Sequence, residues 1–314
     1  MNHVFGPVPS RRLGQSLGID TIPLKTCNWN CVYCQLGRTI PLTNERRDYV
    51  PCSAILAEVS EALKTHQPHE IDWVTFVGSG EPTLHSGIGQ LIRQVKTLSN
   101  KPVAVITNGS LLHLPEVRKE LSEANAVLPT FDAGNARLYR KINRPHPDCT
   151  FERLLDGLVA FRQEFDGKLW LEVMLVHGLN DTDQALPEIA AHLREIQPDE
   201  VHINVPDRPP AETWVDLPDD EAMMRARLIL GTTAHVVHPA KGTFDLGGHK
   251  TLVDAVIAII TRHPMREDDL IKTLDLWTSD ELGATLEDLK QCGKAQVIER
   301  HGHRYWSAVS ARYP

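Results

Sequence analysis

From residue 17 to about 239, short runs of β-branched and aliphatic residues alternate with amphipathic stretches, a rhythm that predicts βα units around a parallel sheet. The strands it predicts are "SLGIDTI", "IDWVTFVG", "PVAVITN", "AVLPTFD", "LWLEVMLV", "EVHINVP" and "AHVVHP". Helical periodicity fills residues 53–65, 86–99, 114–123, 151–165 and 183–195 between them. There are too few repeats for a closed eight-stranded barrel, so the expected fold is an open or partial (β/α) barrel, with a doubly wound sheet as the competing arrangement. In both, functional groups gather where the βα loops meet, at the C-terminal ends of the strands.

The pattern changes at "KGTFDLGGHK", which has three glycines and no periodicity and reads as a hinge. We therefore divide the chain into a barrel over 1–240, a linker over 241–249 and a small α+β domain over 250–314. In that tail, residues 249–263 and 265–274 suit two helices. "TSDELGATLEDLKQCG" suits a third, with Thr278 or Ser279 as N-cap and Gly293 past its end, and "AQVIERHGHRYWSAV" suits a hairpin turning at Gly302. Three helices and a hairpin form a winged-helix pattern.

Composition narrows the function classes. The 314 residues carry a formal charge of −8, which argues against grip on nucleic acid through a general positive excess. No signal-peptide stretch and no long apolar run is present, so the expected compartment is the cytoplasm, with no membrane partner. Six cysteines in a chain of this length do not make a disulfide scaffold. Cys52, Cys149 and Cys292 are scattered and read as small buried hydrophobes, whereas Cys27, Cys31 and Cys34 cluster in "KTCNWNCVYCQLG".

Clustered thiolates in a reducing compartment suit zinc or an iron–sulfur cluster, and four of them complete either site. Zinc sites normally show two separated pairs; here zinc would have to recruit a lone ligand such as Cys52 or His85. A cluster held by three cysteines leaves one iron open for a bound molecule. The spacing C-x3-C-x2-C, with Tyr33 before the last cysteine, resembles the radical S-adenosylmethionine enzymes. That resemblance implies a partial (β/α)6 barrel whose cysteine loop follows the first strand, as "SLGIDTIPL" precedes it here. It also implies a [4Fe–4S] cluster on Cys27, Cys31 and Cys34 whose open iron chelates S-adenosyl-L-methionine. Reductive cleavage then yields a 5′-deoxyadenosyl radical that abstracts hydrogen from a substrate.

Further stretches carry the same resemblance. "VGSGEPTL" resembles the family's Gly-Gly-Glu segment, which implies that Gly78, Ser79 and Gly80 bring backbone to the methionyl ammonium and Glu81 supplies the acid. Ser79 between the glycines departs mildly from that pattern. Asn108 in "VITNGSL" faces cofactor or substrate, or makes an Asn-Gly turn. Thr130 and Asp132 in "PTFDAGN" are implied contacts to the cofactor ribose or the substrate, unless Asp132 caps a helix beginning near Ala136. Glu172 lies on the fifth strand with its direction undetermined; Val176 to Gly178 resembles the adenine contact, and Asn204 precedes a proline-rich loop of the same kind. With "VFGPVPSRRLGQSLGID" and "INRPH", the likeness covers about residues 4–240 and points to an uncharacterised subgroup distantly akin to the wybutosine-synthesis iron–sulfur oxidoreductases. A single cluster motif implies an external electron donor such as flavodoxin or ferredoxin.

Arg11, Arg12, Arg38, Arg46, Arg47, Arg137, Arg140, Lys141 and Arg144 flank the expected barrel mouth, where some could bind an anionic substrate group and most would form solvated ion pairs. The third tail helix presents Asp280, Glu281, Glu287 and Asp288 and would repel phosphate, while Leu282, Leu286 and Leu289 form its core face. In "ERHGHRYW", Arg300, His301, His303, Arg304 and an aromatic pair offer contacts to RNA. Three functions follow: a radical enzyme presenting RNA or a peptide on its tail, the same enzyme acting on a small molecule with the tail used for dimerisation or donor docking, or a redox-sensing regulator that binds DNA.

Overall fold

The computed structural model describes residues 3–237, 251–274 and 276–313. Strands β1 (Val4–Ser10) and β2 (Gly14–Ile19) make an antiparallel hairpin. From β2 the sheet runs in parallel and in chain order through β3 (Trp73–Phe76), β4 (Val103–Thr107), β5 (Ala126–Pro129), β6 (Lys168–Met174), β7 (Glu200–Asn204) and β8 (Ala234–Val236). Every strand read from the sequence is present, and the sheet stays open, with β1 and β8 as its edges among the described residues. β1 was not expected, because two prolines interrupt its pattern; an edge strand tolerates them.

Helices α1 (Cys52–Thr65), α2 (Ile88–Leu98), α3 (Pro115–Leu121), α4 (Ala136–Ile142), α5 (Phe151–Glu164), α6 (Ala185–Ile196) and α7 (Asp220–Leu230) separate the parallel strands. Strand alternation sorts the two faces. On β6, Leu169, Leu171 and Val173 join the large core that the helices cover, whereas Trp170 packs with Leu13, Trp73, Ala104, Ala126 and Leu128 on the concave side. β2 also needs a bare backbone at Gly18, where a Cβ would lie 2.2 Å from the Phe5 ring of β1.

The hinge expected over 241–249 lies outside the described residues. Beyond it come α8 (Leu252–Arg262), β9 (Met265–Arg266), α9 (Glu267–Thr273), α10 (Ser279–Gln291), β10 (Ala295–Arg300) and β11 (His303–Ala308). Thr278 caps α10 in a capping box with Glu281, and Leu282, Leu286 and Leu289 are buried in a separate core, as their spacing required. The hairpin turns on His301 and Gly302 at φ 48° and 74° and pairs with β9 in a three-stranded sheet. β9 is two residues long, too short to leave a period in the sequence.

The tail is seated on the barrel. Arg38 N–H donates to the Arg312 carbonyl at 2.7 Å, the Tyr313 hydroxyl donates to the Gln35 carbonyl, and Gln35 Nε2 donates to the Arg262 carbonyl at 3.1 Å. Gly37, at φ 74°, lets this contact close, since a Cβ would meet the Arg312 carbonyl oxygen at 2.2 Å. His263 completes the seam: Arg208 Nη1 lies 3.3 Å from its Nδ1, and burial, together with Arg208, Arg262 and Arg11, pushes this imidazole from 6.5 down to about 3. A depressed imidazole favours the folded state only while neutral, so the stability it secures is present above pH 6.5 and is lost as pH falls towards 3. Acid denaturation followed by tyrosine and tryptophan fluorescence is expected to show that slope, and His263→Gln to flatten it; an unchanged slope refutes the assignment.

Candidate functional site

The long β2–α1 connection carries all three clustered cysteines, and each sulfur faces a nitrogen donor. Trp29 N–H lies 3.4 Å and Asn108 Nδ2 3.8 Å from Cys27 Sγ; Asn143 Nδ2 lies 3.8 Å from Cys31 Sγ; Lys25 Nζ lies 3.2 Å from Cys34 Sγ. Donors aimed at sulfur stabilise thiolate charge and are a means of tuning iron–sulfur clusters. Burial and then the Glu81 carboxylate push Cys27 up to about 12, and burial with the other two cysteines holds Cys31 well above its usual range. Three neighbouring sulfurs, each supplied with an N–H donor, fit a bound cationic iron centre, which would hold them as thiolates. Cys27, Cys31 and Cys34 therefore fit a [4Fe–4S] cluster.

The segment after β3 holds this loop. Lys25 sits at φ 62°, its N–H donating to the Ser79 carbonyl at 2.7 Å, and Glu81 N–H donates to the Thr26 carbonyl at 2.9 Å. This explains the glycines after β3. A Cβ on Gly80 would lie 2.0 Å from the Thr26 carbonyl oxygen and one on Gly78 2.8 Å from Asp20 Oδ1. The close approach is thus to the cysteine loop. Ser79 is fixed too, its hydroxyl donating to Asp20 Oδ2 at 2.7 Å.

Glu81 is 1% exposed and its carboxylate is fully engaged. Oε1 accepts from Thr83 N–H at 2.9 Å, from the Thr83 hydroxyl and from the Thr107 hydroxyl at 2.6 Å, while Oε2 accepts from Asn108 N–H at 2.7 Å. Three of these donors crowd Oε1 and one serves Oε2. Glu81 thereby ties the ends of β3 and β4 together and sets Asn108, whose Nδ2 also donates to Asn28 Oδ1 at 2.7 Å. Asn108 makes the turn read for it, Ser110 N–H closing on its Oδ1 at 2.9 Å, while its side-chain amide faces Cys27 Sγ.

Asp132, at the end of β5, plays a similar part. The Tyr33 hydroxyl and Asn143 Nδ2 donate to Oδ2 at 2.5 and 2.7 Å, and Met174 N–H donates to Oδ1 at 2.7 Å. Burial leads the balance and pushes this carboxyl up to about 6. It does not cap α4; Asn135 does, accepting from Leu138 N–H at 2.9 Å. Thr130 is half-buried beside Glu172, with which it forms a parallel bridge. Glu172 points inward: Asn204 Nδ2 donates to its Oε1 at 3.3 Å, and it pairs with Arg12. Arg12 is largely buried, its guanidinium drawn down to about 10 by burial and then Arg11, and its Nε has no hydrogen-bond partner among the described residues.

Most of the arginines flanking the mouth prove to be paired: Arg11 with Asp207, Arg46 with Glu120, and both Arg38 and Arg144 with Glu212. The expectation that the hairpin aromatics stack on RNA is overturned. Tyr305 and Trp306 are 3% and 1% exposed, and Arg300 and Arg304 are turned to the Val215 carbonyl and to Glu267 and Glu287. His85, the lone ligand a zinc site would have recruited, is grouped with Asp48 and Cys52, their ligand atoms within 4.8 Å of one another, and its Nε2 lies 2.8 Å from the Val50 carbonyl while Gly87 N–H donates to its Nδ1 at 3.0 Å. Sequence reasoning missed Asp20, Lys25, Asn28 and Asn143; the only signal for Asn143 was its place in "INRPH".

A family model described as the Radical SAM superfamily matches residues 21–193. A UPF0026 protein of Methanocaldococcus jannaschii is 36% identical over 281 residues, covering 87% of this chain and 86% of that protein. A protein of Brachyspira hyodysenteriae named GTPase Obg is 41% identical over 224 residues, 71% of this chain, which spans only 33% of that longer protein. Among solved structures, TYW1 with a lysine-pyruvate adduct bound matches with a TM-score of 0.54 at 16% identity, covering 68% of this chain and 72% of that one, a likeness of fold.

Proposed function

This chain belongs to the radical S-adenosylmethionine superfamily, and on that premise we propose which residues hold its cofactors and what kind of substrate it takes. It is an enzyme that uses a [4Fe–4S] cluster and S-adenosyl-L-methionine. When bound and reduced, these supply a 5′-deoxyadenosyl radical for hydrogen abstraction. The observation that carries the residue assignment is the set of three cysteine sulfurs each facing an N–H donor.

Cys27, Cys31 and Cys34 hold the cluster. The backbone of Gly78, Ser79 and Gly80 receives the methionyl end, with Glu81 as the group that fixes that backbone. Asn108 orients the edge nearest Cys27, and Asp132 locks Tyr33 and Asn143 so that Cys31 keeps its donor. Thr130 and Asn204 line the substrate side, together with the Arg12–Glu172 pair. A buried guanidinium with an unpartnered Nε beside a carboxylate suits a small polar molecule bearing a carboxylate or phosphate. The packed hairpin of the tail disfavours RNA presentation.

The test is anaerobic. Reconstituted protein is reduced with dithionite, given S-adenosyl-L-methionine, and assayed for 5′-deoxyadenosine by mass spectrometry with pools of carboxylated or phosphorylated metabolites, RNA or peptides. Stimulation by the metabolites is expected, with KM raised by Arg12→Met. Stimulation by RNA or peptides alone refutes the small-molecule reading. A cluster that forms without any cofactor cleavage replaces the catalytic reading with a redox-sensing one.

A further inference from the structure

The cysteine loop and the tail together build a cationic cleft. It encloses about 320 Å³ and is lined by Lys25, Arg38, Arg47 and Arg312, with no acidic side chain among its described lining. Arg47 reaches it from the approach to α1 and lies 4.6 Å over the Tyr49 ring. Arg312 reaches it from the end of the tail and donates to the Ile40 carbonyl at 3.1 Å. Arg38 is held by Glu212, set back from the cleft lining. The same cleft is lined by Ile40, 58% exposed, and by Pro41 and Tyr49. Exposed apolar side chains among cationic ones are the make-up of a protein contact rather than of a small-anion pocket.

The cleft also touches the site below it. Lys25, which lines it, donates through Nζ to Cys34 Sγ at 3.2 Å and to the Gly37 carbonyl at 2.6 Å. From the cleft to a cluster sulfur is thus one side chain. Charge sharpens the choice of partner, since the chain as a whole carries −8. An acidic protein is repelled by the net charge of the chain and drawn to this patch of opposite sign, which orients it as it arrives.

We propose that this cleft is the docking site for an acidic one-electron donor of the flavodoxin class, and that the tail's role is to complete it with Arg312. The proposal rests on the radical-enzyme reading above. The transfer balances: the donor's anionic flavin hydroquinone loses one electron and becomes the neutral semiquinone, the cluster gains that electron, and no proton moves.

The experiment compares wild type with an Arg47→Glu, Arg312→Glu double variant of the full-length reconstituted enzyme. Anaerobic binding of a purified flavodoxin is followed by flavin fluorescence at low and high salt, and 5′-deoxyadenosine formation is measured with flavodoxin hydroquinone and, separately, with dithionite. Charge reversal is expected to weaken binding and flavodoxin-driven cleavage by about tenfold or more at low salt, with a shallower salt dependence. Dithionite-driven cleavage should stay within about twofold, because a small reductant does not need the docking face. Equal flavodoxin affinity in wild type and variant overturns the proposal. So does an RNA oligonucleotide that loses affinity for the variant while flavodoxin does not. If dithionite fails to drive cleavage in wild type, the radical reading falls, and the binding arm still decides the docking site.

Discussion

Replacing any one of Cys27, Cys31 or Cys34 by alanine is expected to lower retained iron and sulfide severely and to cut 5′-deoxyadenosine formation by about 100-fold or more. Removing even a hydrogen-bonding neighbour of a metal ligand commonly costs 10- to 100-fold, and a ligand itself costs more. The three positions are not interchangeable in their surroundings: Cys27 receives Trp29 and Asn108, Cys31 receives Asn143, and Cys34 receives Lys25. Loss of any one sulfur also strands its donor. The fold should survive, because all three side chains are only half-buried and alanine leaves a small gap. Iron and sulfide analysis, electron paramagnetic resonance of the reduced protein and circular dichroism of the metal-free protein separate the two effects. A single variant that keeps full iron and full cleavage refutes the ligand assignment.

Glu81→Ala is expected to destabilise even the metal-free protein, by about 3–5 kcal/mol in urea denaturation. The carboxylate is the common acceptor for the Thr83 and Asn108 N–H groups and the Thr83 and Thr107 hydroxyls, all beneath the surface. Its removal leaves several buried donors without an acceptor, which costs far more than the bonds contribute net. Burial raises the carboxyl's proton affinity while the four donors lower it, so the group depends on keeping all of them. Glu81→Gln keeps one oxygen and turns an NH2 group against donors, so an intermediate loss is expected. If Glu81→Gln is fully stable and loses only S-adenosyl-L-methionine affinity by calorimetry, direct contact with the methionyl ammonium is its main role and the scaffolding role fails.

The parallel strands were legible because strands covered on both faces read as near-continuous apolar runs, as in "PVAVITN" and "AVLPTFD". β1 and α7 were not: one is broken by prolines at an edge, and the other follows a proline-rich loop with a weak apolar face. Within the site, the clustering of Cys27, Cys31 and Cys34 was legible since it depends on residue type and short spacing alone. Asn143 was opaque because its partner sulfur is 112 residues away, and the same distance in sequence hid Tyr33 from Asp132, separated by 99.

The hairpin of the tail is the sharpest contrast. Its basic and aromatic residues looked like a reading surface, yet Tyr305 donates to the Asp207 carbonyl at 2.9 Å and Trp306 Nε1 donates to Glu267 at 2.9 Å, both inside the protein. Period, caps, turns and thiol spacing are local, and the sequence by itself determined them: the βα rhythm, the Thr278 cap, the Gly302 turn and the three-cysteine loop. Which polar groups are saturated and which remain available is set by desolvation and by partners brought from distant segments. Only the tertiary structure decided that Glu81 is a scaffold, that Arg12 faces the interior, and that the end of the tail completes a cationic cleft over Cys34.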